Sequence, residues 1–169
     1  MAGLKSSAIL DSGTNILLLP TEAFAGLKAS FVALCSATTK LAGLCDSATQ
    51  PDSGNTLFDR KCFPLTPTQL AAYPVINVAV SKTVTLTMSA EDYLLTGGPF
   101  AKGDSSLFCL GVRATGPEGL LIIGDTLMRN YYMVFDNVQR RTGARPAHQV
   151  RMHRPSYLCH LPASTTLTP

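Results

Sequence analysis

Residues 8–20 read Ala-Ile-Leu-Asp-Ser-Gly-Thr-Asn-Ile-Leu-Leu-Leu-Pro. The only carboxylate in this stretch, Asp11, lies between two apolar runs on a tight Ser-Gly turn. A carboxylate beside an apolar core costs free energy unless hydrogen bonds or an opposite charge compensate it. Two hydroxyls and the backbone N–H groups around Gly13 can supply those hydrogen bonds. We therefore interpret Asp11 as a candidate reactive aspartate; from these residues alone, a capped turn aspartate stays open as the alternative.

The bulk composition favours one globular domain. The chain has 169 residues, of which 46% are hydrophobic and 15% are charged, so it can bury a sizeable core. No apolar run approaches the roughly 20 residues that a membrane-spanning helix requires. Residues 1–10 lack a basic segment followed by a long apolar run, so the sequence predicts no signal peptide in this chain.

The positive charge is concentrated at the C-terminal end. The net charge is +3, yet residues 140–169 hold five arginines, all three histidines and no acid. A nucleic-acid or membrane-surface patch is one interpretation. The lack of periodicity and the prolines favour a solvated extension, so we expect residues 144–169 to form a basic tail and expect no nucleic-acid partner. The tail histidines and Cys159 fit no metal-ligand spacing, and we expect no metal.

Five cysteines are spread along the chain, and none forms a Cys-x-x-Cys pair. This spacing argues against a zinc ribbon. In a strand-rich chain it favours disulfides and hence a secretory compartment. Buried free cysteines are the alternative, and the odd count leaves one thiol without a partner.

The hydrophobic pattern predicts an all-β fold with a few short helices. One helix is expected to open at Thr21 as its N-cap, and another is expected to run from an N-cap at Asp125 through Asn130. The predicted strands cover residues 4–10, 16–19, 57–63, 75–80, 84–88, 107–114, 119–124 and 132–135, with a last strand near Thr142.

Three signals occur in a fixed order along the chain. The first is apolar-apolar-Asp-Ser-Gly-Thr, the second is Ile-Ile-Gly at residues 122–124, and the third is Asp-x-x-x-Arg-x-Tyr-Tyr-x-Val-Phe-Asp at residues 125–136. Gly124 lets a neighbouring strand approach closely, which suits threading one strand through the loop that holds Asp11. This ordered set resembles the C-terminal lobe of a pepsin-like aspartic protease. The resemblance covers residues 7–143, and the Asp-Ser-Gly version is similar to the memapsin (β-secretase) branch.

The resemblance implies a role for each matching residue. Asp11 corresponds to the catalytic aspartate of the lobe, and Ser12 to the hydroxyl that bonds across the lobe interface. Gly13 corresponds to the turn glycine that turns an N–H toward the carboxylates, and Thr14 to the hydroxyl that holds the outer oxygen of Asp11. Gly124 corresponds to the glycine beneath the active-site loop. The implied fold is one lobe of a bilobal acid protease, spanning residues 1–143.

The resemblance also implies a disulfide between Cys62 and Cys109. We further predict a Cys35–Cys45 pair in the polar loop after the first helix, and Cys159 stays unassigned. The implied compartment is the secretory pathway, outside the cell or in endolysosomes.

The implied chemistry needs two carboxylates and no cofactor. Two carboxylates one hydrogen bond apart share a proton, so that one activates a water while the other donates to the scissile carbonyl of a peptide or protein substrate. A second tripeptide, Asp52-Ser53-Gly54, lies in a polar stretch and is interpreted as a turn. The resemblance therefore assigns the other aspartate to an N-terminal lobe preceding Met1 or to a second chain.

Three explanations for this half-site stay open: a fragment of a longer product, a lobe that pairs with another chain, and a non-catalytic remnant. The chain alone is expected to be inactive as an aspartic endopeptidase. The alternative function is a pepsin-like binding or inhibitor module without catalysis.

Overall fold

The computed structural model describes residues 8–36, 39–46, 49–81, 84–116 and 119–147. The expectations for the tail histidines, for Cys159 and for residues 4–7 lie outside the described residues. Within these ranges the chain is mostly strand, with a few short helices, as an all-β lobe requires. In the same ranges, no helix is both long enough and apolar enough to cross a membrane.

The helices are short, and the strands form four separate sheets. The helices are α1 (Thr21–Val32), α2 (Pro67–Ala71), α3 (Ala90–Tyr93) and α4 (Asp125–Met128), with one 3₁₀ turn at Leu57–Asp59. The strands are β1 (Ala8–Leu10), β2 (Leu17–Leu19), β3 (Cys62–Pro64), β4 (Ile76–Ala79), β5 (Thr85–Met88), β6 (Leu94–Thr96), β7 (Leu107–Leu110), β8 (Val112–Ala114), β9 (Leu121–Ile123), β10 (Tyr131–Asp136) and β11 (Arg141–Pro146).

The four-stranded sheet, called the central sheet below, has the strand order β1-β9-β2-β8. Strand β9 runs parallel to β1, pairing Ile9 with Ile122, and antiparallel to β2, pairing Leu18 with Ile122. It therefore lies between the two strands that flank the Asp11 loop, although it follows them by about a hundred residues. The predicted threading of a strand past this loop is confirmed.

The core packs against one face of the central sheet and holds an aromatic cluster. The ring of Phe31 in α1 lies 5.5 Å from the ring of Phe58, 6.2 Å from that of Tyr73 and 6.1 Å from that of Tyr93. The hydroxyl of Tyr93 donates to the carbonyl of Pro74 at 2.6 Å, so this buried polar group has a partner. Burial raises the pKa of Tyr93 well above its ordinary value.

Both predicted disulfides are present. Cys62 on β3 and Cys109 on β7 are direct partners in an antiparallel register, and their Cα atoms lie 4.4 Å apart. Cys35 and Cys45 bridge the end of α1 to the following loop, with Cα atoms 6.2 Å apart.

The predicted strand over residues 57–63 is wrong in its first half. Leu57–Asp59 form a 3₁₀ turn, because Thr56 and Asp59 form a reciprocal capping box. The Thr56 hydroxyl and backbone N–H both donate to the Asp59 carboxylate, at 2.7 and 3.0 Å. Leu57 and Phe58 are buried by the turn, and pairing begins only at Cys62.

Both predicted N-caps are wrong by one residue. The N-cap of α1 is Pro20, whose carbonyl accepts from Phe24, while the backbone N–H of Thr21 donates to Gly116. Gly124 caps α4, which ends at Met128 rather than at Asn130. Hydrogen bonds to distant parts of the chain therefore fix where each of these two helices begins. The capping propensity of Thr21 and Asp125 does not decide these boundaries.

The predicted strand over residues 107–114 is two strands. Gly111 separates β7, in a sheet with β3 and β6, from β8 in the central sheet. Its N–H donates to the carbonyl of Tyr93, and its carbonyl accepts from Leu17. A Cβ at this position would lie 2.9 Å from the side chain of Leu95. Glycine thus lets the chain cross from one sheet to the other at close range.

The last hairpin continues beyond Gly143. Strand β11 pairs with β10 from Arg141 to Pro146, in register with Asp136 to Tyr131. The sequence expectation of a strand near Thr142 is confirmed, and this strand extends into the segment that the sequence assigns to the tail.

Candidate functional site

The Asp11 loop begins where β1 ends. The backbone N–H of Asp11 donates to the carbonyl of Ile123 at 3.0 Å, which extends the β1–β9 ladder by one residue. The N–H of Thr14 then donates to the carbonyl of Asp11 at 3.1 Å and closes a tight turn. The sheet therefore fixes the backbone that carries the carboxylate.

Both oxygens of the Asp11 carboxylate accept hydrogen bonds from within the loop. The Thr14 hydroxyl donates to Oδ2 at 2.6 Å, and the Gly13 N–H donates to Oδ1 at 2.9 Å. The first bond more than the second holds the pKa of the Asp11 carboxyl below its ordinary value, against a smaller opposing effect of desolvation. These hydrogen bonds thus favour the ionised form of Asp11.

The first turn of α4 supports the loop from beneath. The N–H of Asp125 donates to the carbonyl of Thr14 at 2.7 Å, and the N–H of Thr126 donates to that of Asn15 at 3.1 Å. A Cβ on Gly124 would lie 2.3 Å from the carbonyl oxygens of Thr14 and of Ile16. Only glycine permits this approach, so the sequence interpretation of Gly124 as a close-contact position agrees with the geometry.

Sequence reasoning missed the role of Thr126. Its side chain is fully buried, and its hydroxyl donates to the carbonyl of Asn15 at 2.5 Å. Thr126 thus bonds Asn15 through both its backbone and its side chain, which fixes the C-terminal half of the loop. The sequence signal for this role was the threonine two residues after Gly124, the glycine that ends an apolar strand.

The top of the loop faces outward. Ser12 and Gly13 are exposed, and Asp11 and Thr14 are partly exposed. The Ser12 hydroxyl, which the resemblance assigns to contact across a lobe interface, is therefore accessible. The arrangement presents one oriented, ionised carboxylate that can accept a proton from water or from a neighbouring acid.

Other Asp-Ser sequences differ from the Asp11 loop in their place in the fold rather than in their hydrogen bonds. Asp46 accepts from the N–H groups of Gly43 and Thr49 and from the Thr49 hydroxyl, and Asp104 accepts from the hydroxyl and N–H of Ser106. Neither residue follows a strand of the central sheet. Asp52 lies exposed in a turn, as its polar surroundings predict. In the part of the chain that the structure describes, no group of three or more His, Cys, Asp or Glu side chains has the arrangement to hold a metal ion.

This chain is similar to a known family and to one curated protein. The family described as Xylanase inhibitor C-terminal matches residues 3–144. Chymosin from Camelus dromedarius is 25% identical over 140 residues, which are 83% of this chain and 29% of that protein. The chain thus spans less than a third of the length of this relative. Both matches support a distant relation to pepsin-like proteins.

Proposed function

We propose that this chain, which belongs to the Xylanase inhibitor C-terminal family, is the C-terminal catalytic lobe of a pepsin-like aspartic endopeptidase. The observation that carries the proposal is the Asp11 carboxylate, held at 2.6 Å by Thr14 and at 2.9 Å by Gly13. Chymosin, a distant relative, supports the same class. The finer assignment to the Asp-Ser-Gly, memapsin-like branch is part of this proposal.

The reaction requires a second carboxylate from another lobe, in a longer protein or a second chain. The two carboxylates then share one proton, since both cannot ionise at hydrogen-bond distance. The ionised oxygen takes a proton from water, whose oxygen adds to the scissile carbonyl while the protonated carboxyl donates to the carbonyl oxygen. The first carboxyl, now protonated, then gives this proton to the amide nitrogen, and the second carboxylate takes a proton from a hydroxyl of the tetrahedral carbon as the amine is expelled. Asp11 alone cannot complete this cycle, so the isolated chain is inactive.

A non-catalytic pepsin-like binding or inhibitor module is the second candidate. The description of the matching family, which names an inhibitor, favours it. In such a module Asp11 has no catalytic role, and substitution of Asp11 would leave its binding unchanged.

We also propose a secretory-pathway, extracellular or endolysosomal location. Two disulfides, Cys35–Cys45 and Cys62–Cys109, support an oxidising compartment. Mildly acidic surroundings would suit a carboxylate dyad, because one member must stay protonated.

The test compares two aspartates that stand in the same tripeptide. The protein that contains this chain, together with any second chain that supplies the other lobe, is produced as wild type, Asp11→Asn and Asp52→Asn, and cleavage of a peptide library is measured in mild acid with and without pepstatin. We expect pepstatin-sensitive cleavage by the wild type and by Asp52→Asn, and a loss of about 100-fold or more in Asp11→Asn. Undiminished cleavage in Asp11→Asn rules out the proposed catalytic role. An assembled wild type that binds protein ligands without cleaving any peptide favours the inhibitor module.

A further inference from the structure

The outward face of the central sheet carries a row of four side chains, called the outward row: Ile9 on β1, Ile122 on β9, Leu18 on β2 and Arg113 on β8. Along a strand, successive side chains point to opposite faces. On β9, β2 and β8, residues next to the row face the core and are at most 8% exposed: Leu17, Leu19, Val112, Leu121 and Ile123. Leu10 beside Ile9 is half-buried against the core, whereas Ala8 and Ala114 are exposed. By contrast, Ile9 is 42% exposed, and the other three are partly exposed.

The strand register places these four residues side by side. Ile9 pairs with Ile122, Ile122 with Leu18, and Leu18 with Arg113. Since neighbouring strands lie about 4.8 Å apart, the row spans roughly 14 Å from Ile9 to Arg113. Asp11 directly follows β1, and its backbone N–H still bonds Ile123 on β9, so the Asp11 loop begins two residues after Ile9. The row therefore starts beside this loop and crosses the sheet.

Arg113 ends the row with a charge that has no acidic partner in the described ranges. Its guanidinium donates to the carbonyl of Val112 at 3.3 Å, and the ion pair found in those ranges joins Arg141 to Asp136 instead. Burial and the nearby Arg60 both lower the pKa of Arg113, so its charged form is held unfavourably. An acidic group brought to this place would offset both effects by pairing with the guanidinium.

We propose that the outward row binds the substrate peptide and that Arg113 selects an acidic side chain within about four residues of the scissile bond. This inference rests on the proposed endopeptidase function. An extended peptide advances about 3.3 Å per residue, so four residues cover the roughly 14 Å between β1 and Arg113. The three apolar side chains contact the intervening residues, and the guanidinium pairs with the carboxylate. The substrate class is therefore a peptide with an apolar segment next to an acidic residue.

The first experiment uses matched peptide pairs and the assembled endopeptidase. Each pair differs by Asp against Asn, placed in turn at each of the four positions on either side of the scissile bond. We expect kcat/KM for the Asp peptide to exceed that for the Asn peptide roughly fivefold at one or more positions. The ratio should approach one in Arg113→Gln and stay unchanged in Lys102→Gln, a control on an exposed loop. It should also fall as the pH drops below about 4, where the peptide carboxylate is protonated.

A charge reversal separates recognition from a structural effect. Arg113→Glu should prefer Lys at the same position, an outcome that general loss of packing cannot produce. Cleavage with a ratio near one at every position in the wild type overturns the inference and leaves the proposed endopeptidase intact. A preference for Asp that survives in Arg113→Gln also overturns it.

A binding measurement distinguishes failure of the proposed peptide-binding surface from failure of the proposed endopeptidase function. Fluorescence polarisation measures binding of labelled Asp and Asn peptides to the 169-residue chain, as wild type and as Arg113→Gln. Asp-selective binding that Arg113→Gln removes, in a protein whose assembled form cleaves nothing, supports this surface and overturns the endopeptidase. Equal binding of both peptides to the wild type, combined with the absence of any cleavage preference, overturns the surface alone.

Discussion

Replacing Gly124 by alanine should destabilise the whole lobe, because the added methyl group meets backbone rather than a flexible side chain. The new Cβ would lie 2.3 Å from the carbonyl oxygens of Thr14 and Ile16. Cβ atoms in folded proteins essentially never lie closer than 3.0 Å to such a neighbouring atom, so the Asp11 loop must move away from α4. That movement breaks the hydrogen bonds that Asp125 and Thr126 donate to the loop.

The cost can be worked from these contacts. Two lost hydrogen bonds contribute about 2 kcal/mol, and overpacking contributes about 1–3 kcal/mol more. The expected loss in the free energy of unfolding is thus about 3–5 kcal/mol, a large part of the roughly 5–15 kcal/mol that a domain possesses. With a denaturant slope of about 2 kcal/mol/M in urea, the unfolding midpoint should fall by about 2 M.

Equilibrium urea unfolding, followed by circular dichroism with the disulfides intact, measures this shift. Gly26→Ala is the matched control, since a Cβ there meets no heavy atom within 4 Å in the middle of α1. We expect this control to gain about 0.5–1 kcal/mol, because alanine favours a helix over glycine. If Gly124→Ala unfolds at the wild-type midpoint with an unchanged slope, the proposed close contact beneath the loop is wrong.

Three further outcomes are expected. Thr14→Val should raise the pKa of Asp11 toward its ordinary value, measured by NMR titration of the carboxyl carbon, because the strongest hydrogen bond to the carboxylate is lost. Replacing both Cys62 and Cys109 by alanine should lower the free energy of unfolding by about 4 kcal/mol in urea titrations, from the chain entropy of the 47-residue separation. Tyr93→Phe should cost about 1 kcal/mol near neutral pH, through the lost bond to Pro74, and this difference should shrink above about pH 10.

The Asp11 and disulfide predictions each have a matched control. The folded pKa of Asp11 is lowered, so its hydrogen bonds stabilise the fold above the unfolded pKa, and this gain is lost as the pH falls through the folded pKa. Thr14→Ser should keep that acid dependence, and an unchanged pKa in Thr14→Val would contradict the assignment. The alanine pair at Cys35 and Cys45 should cost less than the longer bridge, about 3 kcal/mol.

For Tyr93 the pH dependence of the free energy of unfolding has the opposite sign to that for Asp11. Its folded pKa is raised, so the stability is present below the unfolded pKa and is lost as the pH rises through the folded pKa. Urea titrations at neutral and alkaline pH give the difference between wild type and Tyr93→Phe. A difference that stays constant above pH 10 would contradict the buried phenol as its cause.

The ordered motifs were sufficient to predict that a later strand passes beside the Asp11 loop, but not that β8 joins the same sheet. Apolar strands on both sides of Asp11, together with a glycine ending a third apolar strand, specify a close approach that few other arrangements satisfy. The alternating pattern of β4 and β5 likewise decided their pairing, since Val78, Leu86 and Met88 all face the core.

The sequence was less informative where distant partners decide the local structure. Nothing near Thr21 or Asp125 reveals that their backbone N–H groups bind Gly116 and Thr14. The 3₁₀ turn at Leu57–Asp59 had a readable signal in its flanking Thr56 and Asp59, but the apolar residues between them resembled a strand. The outward row could not be predicted from the sequence either. Its four residues lie on four different strands and become neighbours only through the strand register.

The position of β9 between β1 and β2 also has a consequence for how the protein is made. A ribosome synthesises Asp11 about a hundred residues before Ile123 and Gly124, yet the loop depends on hydrogen bonds to that later segment. The nascent chain therefore holds its reactive aspartate without the surrounding geometry until nearly all of the described lobe has emerged. Contacts so distant in sequence slow folding, and this site cannot be complete before the later segment has been made.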